Sequence, residues 1–263
     1  MALHPFLEAI QLDVAYRGSL ESQTLDVVVK TDGPPELPLA QWAIESVVSC
    51  INRGLAGGAE FDPSQGQALL ERAEPGSTLQ PNVQSFRMVV RAMSPRFVRV
   101  IVEHLAASAH PNRVTSISVF GTLPTDVTPL SCREPQVMAW LDDADAYPRA
   151  FPNPPFQVTL KHIPRGATMK VTVAGGRLEE VAPALEETFS AWQTAVLTYP
   201  TLGKKGRGVS APHASFARTR TELFAKLSLF DHTRAPARDA LVNALMRFHA
   251  TVAPIASVEI ATP

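Results

Sequence analysis

Hydrophobic and polar residues alternate in two short stretches near the start of the chain. Residues 10–16 read IQLDVAY and residues 24–30 read TLDVVVK. Alternation of this kind, with β-branched residues, is typical of strands that are buried on one face. Arg17, Gly18 and Ser19 lie between them and favour a turn. The pattern therefore predicts a hairpin made of two neighbouring strands.

The rest of the first half changes between helical and strand periodicity. Apolar residues recur at helical spacing in LAQWAIESVVSCINRG, and its last residue, Gly54, is placed where helices commonly end. Ser94 and Pro95 suit the start of a second helix. The predicted elements are a helix at 39–53, a polar loop at about 55–84, a strand at 85–93, a helix at 96–110 and a strand at 114–121.

The second half has a similar order of elements. Its first helix contains Pro183, which either marks the true start of the helix or kinks it. The last helix is expected to run to about His249. The predicted elements are a hairpin at 156–162 and 167–176, a helix at 178–199, a glycine- and lysine-rich loop at 200–214, a long strand at 214–230, a helix and a final strand at 257–262.

These elements predict an α+β fold. It consists of two similarly ordered ββαβαβ units in tandem, a pseudo-duplication with mostly antiparallel sheets and helices packed on one face. The expected domains are a first unit at 1–121, a proline-rich linker with a short helix at 122–155, and a second unit at 156–263. The alternative is that common α+β parts occur twice in the same order by coincidence.

Composition excludes some classes of protein. The chain has 263 residues, of which 45% are hydrophobic and 19% are charged, so it is too apolar for intrinsic disorder. Residues 1–155 hold 11 Lys and Arg against 17 Asp and Glu, a formal charge of −6, whereas residues 156–263 hold 13 against 8, a charge of +5. This asymmetry indicates either an oriented field that favours docking or ordinary scatter of surface charge.

The sequence contains no pattern typical of metal binding, secretion or a membrane span. Cys50 and Cys132 are the two cysteines, and neither belongs to a CxxC motif. We therefore expect no metal site, no cofactor and no disulfide framework. The N-terminus lacks a charged region followed by an apolar one, and no apolar run approaches 18 residues. These observations predict a cytoplasmic protein that does not enter a membrane.

The loop GKKGRG is the sharpest local feature. Three glycines free its backbone to approach a phosphate, and three cations supply charge. Two arginines follow at alternate positions of the predicted long strand, so they are expected on one face. The alternative is a solvated surface loop. The candidate anion- or nucleic-acid-binding residues are Gly203, Lys204, Lys205, Gly206, Arg207, Gly208, Arg218 and Arg220.

The tandem α+β units and the loop at 203–208 are similar to features of the CRISPR-type RNA-processing endoribonucleases. This chain departs from them in strand order and in having the loop before the third strand of its unit. The resemblance implies an alternative function, RNA binding or metal-independent RNA cleavage through the basic loop. His213 follows the loop and is the candidate general base, with a surface or capping role as the other interpretation.

No catalytic signature supports an enzyme. The chain has no H-x-x-x-H pair and no G-x-S-x-G elbow, and no nucleophile has a recognisable flanking motif. We therefore favour a non-enzymatic cytoplasmic interaction protein whose partner is another protein, such as a bacterial toxin-immunity or assembly component. A flat apolar patch with a charged rim would favour this function, whereas a deep polar cleft would favour an enzyme.

Overall fold

The computed structural model has an α+β fold with mostly antiparallel sheets, and the chain divides into two compact units. Unit 1 contains Met1–Asn52 and Ala68–Tyr147, and unit 2 contains Arg53–Gln67 and Pro148–Pro263. The predicted boundaries at 121 and 156 stay a prediction. The structure describes residues 10–15, 23–34, 52–55, 70–90, 101–102, 105, 112–121, 131–132, 153–198, 216–227 and 235–263.

Unit 1 contains a six-stranded sheet with the order β3-β4-β2-β5-β1-β6. Strand β1 pairs in parallel with β5, and the other neighbours pair antiparallel. The strands are β1 (Gln11–Ala15), β2 (Gln23–Thr31), β3 (Leu70–Gln80), β4 (Val83–Val90), β5 (Val114–Gly121) and β6 (Ser131–Cys132).

Unit 2 contains a five-stranded sheet with the order β7-β11-β8-β10-β9, in which only the β7–β11 pairing is parallel within the described residues. Two helices follow its strands. The elements are β7 (Gln157–His162), β8 (Thr168–Val173), a 3₁₀ turn (Ala174–Gly176), α1 (Leu178–Thr198), β9 (Phe216–Arg218), β10 (Glu222–Lys226), α2 (Ala235–Thr251) and β11 (Ile255–Thr262).

The two predicted hairpins at the start of each half are wrong. Strand β5 lies between β1 and β2, and β11 lies between β7 and β8. β5 and β11 are therefore interior strands with a neighbour on both sides. Their core-facing side chains, such as Val119 and Val258, are fully buried. Alternation along β1 and β2 predicts two strands correctly but carries no information about which strand separates them.

The two sheets share one irregularity at the same place. A register shift interrupts β2–β5 where Thr31 pairs with Val114, and another interrupts β8–β11 where Val173 pairs with Ile255. The backbone N–H groups next to the two shifts make corresponding hydrogen bonds. The N–H groups of Thr31 and Asp32 donate to the carbonyls of Asn82 and Arg113, and those of Val173 and Ala174 donate to the carbonyls of Thr221 and Pro254.

Two stretches differ from the predicted elements. The predicted polar loop at 55–84 contains β3, which continues into β4 through a tight turn. A side chain at Gly76 of β3 would approach the Ser85 side chain to 2.3 Å, so glycine suits this close strand contact. The predicted long strand at 214–230 is instead a hairpin, β9–β10. Thr219 closes its turn, because the Thr219 hydroxyl accepts from the N–H of Glu222 at 3.1 Å.

The core of unit 2 lies between one face of the sheet and the helices. Buried residues alternate along β8, and β11 contributes Val258 and Ile260 to the same layer. Helix α1 begins at Leu178, five residues before Pro183, so the proline does not mark its start. The Trp192 indole N–H donates to the Ala237 carbonyl at 2.7 Å and joins α1 to α2. Residues 240–246 of α2 are all buried.

Other predicted helices are described only in part. Gly54 has φ 73°, as expected for a glycine just past a helix end, and Asn52 before it is helical. Ile101, Val102 and Leu105 of the predicted helix at 96–110 are helical and buried. Most of the predicted helix at 39–53, including Trp42, and the short helix predicted in the linker lie outside the described residues.

Candidate functional site

Of the predicted anion-binding residues, the structure describes Arg218 and Arg220. The loop from Gly203 to Gly208 and the candidate base His213 lie outside the described residues. Arg218 lies at the end of β9, and its guanidinium pairs with the Glu186 carboxylate of α1, with Nε 2.7 Å from Oε1. Arg220 is exposed in the turn that follows. The carboxylate of Glu186 thus compensates one of the two described cations, and the RNA-binding hypothesis stays a prediction.

The described residues bring together a different group on the outer face of the unit 1 sheet. Val27 and Val119 point into the core, so their neighbours along the strands, Asp26 and Phe120, point to the opposite face. Asp26 is directly opposite Phe120 on one side and Arg87 on the other. Phe120 is 40% exposed, which is high for a large apolar side chain in a sheet. We call Phe120, Asp26, Arg87 and the half-buried Val28 the Phe120 surface.

The charged side of the Phe120 surface is an ion pair. Arg87 Nε lies 2.9 Å from Asp26 Oδ1, and both side chains remain substantially exposed to solvent. The hydrogen bond that Arg87 donates to Asp26 raises the pKa of Arg87, and the negative charges of Asp26 and Glu74 add to this effect. Arg87 on β4 and Phe120 on β5 lie on either side of Asp26 on β2. This arrangement offers an aromatic contact with a charged rim on the outer face of the sheet.

The outer face of the unit 2 sheet has a different character. Lys161 on β7 pairs with Glu259 on β11 at 2.6 Å, and Lys170 on β8 pairs with Glu222 on β10 at 3.3 Å. The hydrogen bond from Lys161 lowers the pKa of Glu259. Along this face, positive and negative side chains compensate one another. No aromatic ring as exposed as that of Phe120 occurs among its described residues.

The described residues contain neither a candidate metal site nor a candidate membrane-spanning helix. No group of three or more His, Cys, Asp or Glu side chains lies close enough together to hold a metal ion. No helix in the described part of the chain combines the length and the apolar character required to cross a membrane.

Known proteins show only distant structural similarity to this chain. No protein-family model matches the chain, and no curated protein matches it. Among solved structures, it is similar to the periplasmic protease PqqL from Escherichia coli, at 11% identity and a TM-score of 0.24 over 89% of this chain, which spans 36% of that protease. It is also similar to an M16-like peptidase from Alicyclobacillus acidocaldarius, at 11% identity and a TM-score of 0.21, covering 92% of this chain and 77% of that one. Scores this low carry no argument about fold or activity.

Sequence reasoning did not single out the Phe120 surface, although the sequence contained a signal. Ile117 and Val119 in VTSISVFG predict the buried face of β5, and Phe120 has the opposite parity. An aromatic residue out of phase with a buried stripe is expected on the solvent-facing side. The charged neighbours depend on the pairing of β2 with β4 and β5, which one sequence does not specify.

Proposed function

We propose that this chain is a non-enzymatic cytoplasmic interaction protein that binds another protein, such as a bacterial toxin-immunity or assembly component. The Phe120 surface is the observation that carries the proposal. An exposed aromatic side chain on the outer face of a sheet, bordered by charged residues, is the composition typical of a protein-binding surface. The opposite charges of residues 1–155 and 156–263 also favour oriented docking onto a charged partner.

We further propose that the two units arose by duplication of a single α+β unit. The shared order of five strands, the parallel pairing of β1 with β5 and of β7 with β11, and the matching register shifts support this proposal. On this interpretation the outer faces have diverged. Unit 1 gained an aromatic contact at Phe120, whereas unit 2 keeps a face of compensating ion pairs, so the aromatic contact with the partner is assigned to unit 1.

The proposal is tested by affinity capture from extracts of the native host at low salt, with the wild-type chain and Phe120→Ser as baits. We expect one stoichiometric protein partner with the wild type and at least a tenfold loss with Phe120→Ser, because aromatic anchors dominate interface energetics. Val252→Ser is the matched control, since it removes an apolar side chain of similar exposure from unit 2. Equal capture by wild type and Phe120→Ser, or RNA as the sole co-purifying molecule, would contradict the proposal.

A further inference from the structure

Strand β7 forms one edge of the unit 2 sheet and is unusually exposed. No strand pairs with its far side within the part of the chain that the structure describes. Four of its six residues are exposed. Leu160 pairs with Ile260, so the two side chains point to the same face of the sheet. Ile260 is 1% exposed, whereas Leu160 is 59% exposed. The apolar layer of unit 2 thus continues onto β7 beyond the area that other residues cover.

The backbone of β7 has hydrogen-bonding groups directed away from the sheet. The N–H of Ile163 donates to the Thr262 carbonyl of β11 at 2.8 Å. Because bonding alternates along a parallel strand, the odd-numbered residues face β11, and Val158, Leu160 and His162 direct their N–H and C=O groups outwards. Such an edge is a template for another strand.

Unit 1 shows what occupies the corresponding edge. If the two register shifts are superposed, Ile117 corresponds to Val258 and their partners on the edge strands correspond as well. Leu160 then corresponds to Val14 of β1. Val14 is paired with Cys132 of β6, a two-residue strand that runs antiparallel to β1. The edge equivalent to β7 is therefore covered by a short antiparallel strand.

We propose that the edge of β7 binds an extended segment of a partner protein, which adds to the unit 2 sheet as an antiparallel strand. An apolar side chain of the segment packs on Leu160, and a second packs near the half-buried Val158. Two residues before the first apolar position, the segment carries an acidic residue. In the antiparallel orientation this residue lies beside the exposed His162 and Arg165. This inference rests on the proposed function and specifies how one part of the partner is recognised.

The test uses the full chain and two heptapeptides with blocked ends, SETVTVS and its charge-reversed control SKTVTVS. Binding is followed by ¹⁵N NMR. We expect SETVTVS to shift the amide signals of Val158, Leu160 and His162 and to slow their exchange with solvent. SKTVTVS should bind at least about fivefold more weakly, because it places a cation beside Arg165.

Leu160→Pro is the decisive variant. Proline removes the outward N–H of this residue but no hydrogen bond to β11, so the sheet keeps its internal ladder. We expect at least about fivefold weaker peptide binding, the loss of one backbone hydrogen bond. Leu160→Lys, which keeps the N–H, serves as a second variant if Leu160→Pro lowers the melting temperature, and it should also weaken binding because it removes the apolar contact.

The inference would be overturned if SETVTVS does not bind, if both Leu160 variants bind it as tightly as the wild type does, or if the shifts are confined to another surface. β7 signals that shift with protein concentration in the absence of peptide would show that a second copy occupies the edge, which also overturns it. Phe120→Ser should leave peptide binding unchanged. A failure at β7 is therefore distinguishable from a failure of the Phe120 surface.

Discussion

Lys161 on β7 and Glu259 on β11 form a diagonal ion pair, which makes part of the stability of unit 2 dependent on pH. The hydrogen bond from Lys161 lowers the pKa of Glu259 in the folded state. The folded state therefore binds fewer protons than the unfolded state in the acid range, and stability rises with pH there. The contribution is present above the unfolded pKa of about 4.3 and is lost as pH falls through the lower, folded pKa.

Glu259→Gln should accordingly flatten the acid limb of the stability profile. We expect the variant to resemble the wild type near pH 3 and to be less stable than it at pH 6, because only the wild type gains the ion pair as pH rises. Urea unfolding at pH values between 3 and 6 measures the difference. Glu179→Gln is the matched control, since it removes an exposed carboxylate of α1. Parallel stability profiles for the wild type and Glu259→Gln would show that the ion pair contributes nothing to the pH dependence of the free energy of unfolding.

His249 shows a residue whose position was predicted but whose contact was not. It lies in the last turn of α2, where a positive charge suits the helix dipole. In the structure its Nδ1 accepts a hydrogen bond from the N–H of Ile255 at 2.9 Å, and its ring lies 5.7 Å from that of Phe156. The side chain therefore connects the helix end to the first residue of β11. That contact depends on a turn whose geometry the sequence alone does not provide.

At the level of elements, Trp192 joins α1 to α2. Its indole N–H donates to the carbonyl of Ala237 in the first turn of α2, and the side chain is fully buried. Trp192→Phe removes this donor and leaves space in the core. We expect a loss of about 2–3 kcal/mol in the free energy of unfolding, measured by urea denaturation followed by circular dichroism.

Phe189→Leu is the comparison for Trp192→Phe. Phe189 is a buried aromatic residue three positions earlier on α1, and its ring lies 6.1 Å from that of Phe216. Its replacement changes packing without removing a hydrogen bond, so we expect a cost of about 1 kcal/mol. If Trp192→Phe costs no more than Phe189→Leu, the hydrogen bond to Ala237 does not stabilise the pairing of the helices.

Sequence patterns predicted where strands lie along the chain better than they predicted which strands pair with each other. β2, β4, β5 and β11 were found because buried residues recur at every second position. The β9–β10 turn was missed because residues 218–221 read RTRT, with no glycine, proline or asparagine. Its closing contact comes from the Thr219 hydroxyl, a weaker turn signal. Strand β3 was missed because Pro75 and Gly76 are typical of loops, although both are tolerated in an edge strand.

On the scale of the whole molecule, the boundaries of the units do not follow the order of the chain. Arg53–Gln67 belongs to unit 2, although residues on both sides of it belong to unit 1. Within unit 2, Arg53 Nη1 donates to the Thr188 hydroxyl at 3.2 Å, and the guanidinium pairs with the Glu187 carboxylate. Leu55 from the same segment is fully buried. Local periodicity does not predict which unit a segment packs in, because it indicates the type of each element and not the contacts between elements.

Arg53→Ala should therefore destabilise unit 2. We expect a modest loss of about 0.5–1 kcal/mol, because the Glu187 side chain is 70% exposed and its pair is screened by solvent. Trp192 is the one tryptophan in the sequence of unit 2, so its fluorescence in a Trp42→Phe, Trp140→Phe background reports on this unit. Arg177→Ala removes an exposed cation just before α1 and is the control. A larger effect of Arg177→Ala would contradict the assignment of Arg53.

The assignment of Arg53–Gln67 to unit 2 also has a consequence for folding during synthesis on the ribosome. This segment emerges long before β11, which ends at Thr262 and completes the unit 2 sheet. At about 5–20 residues per second, roughly 200 residues of further synthesis take about 10–40 s. During that time Leu55, which is fully buried in the finished protein, is without its final surroundings. A nascent chain stalled near residue 150 would therefore leave Leu55 accessible to chaperones and proteases, whereas the folded unit 2 buries it.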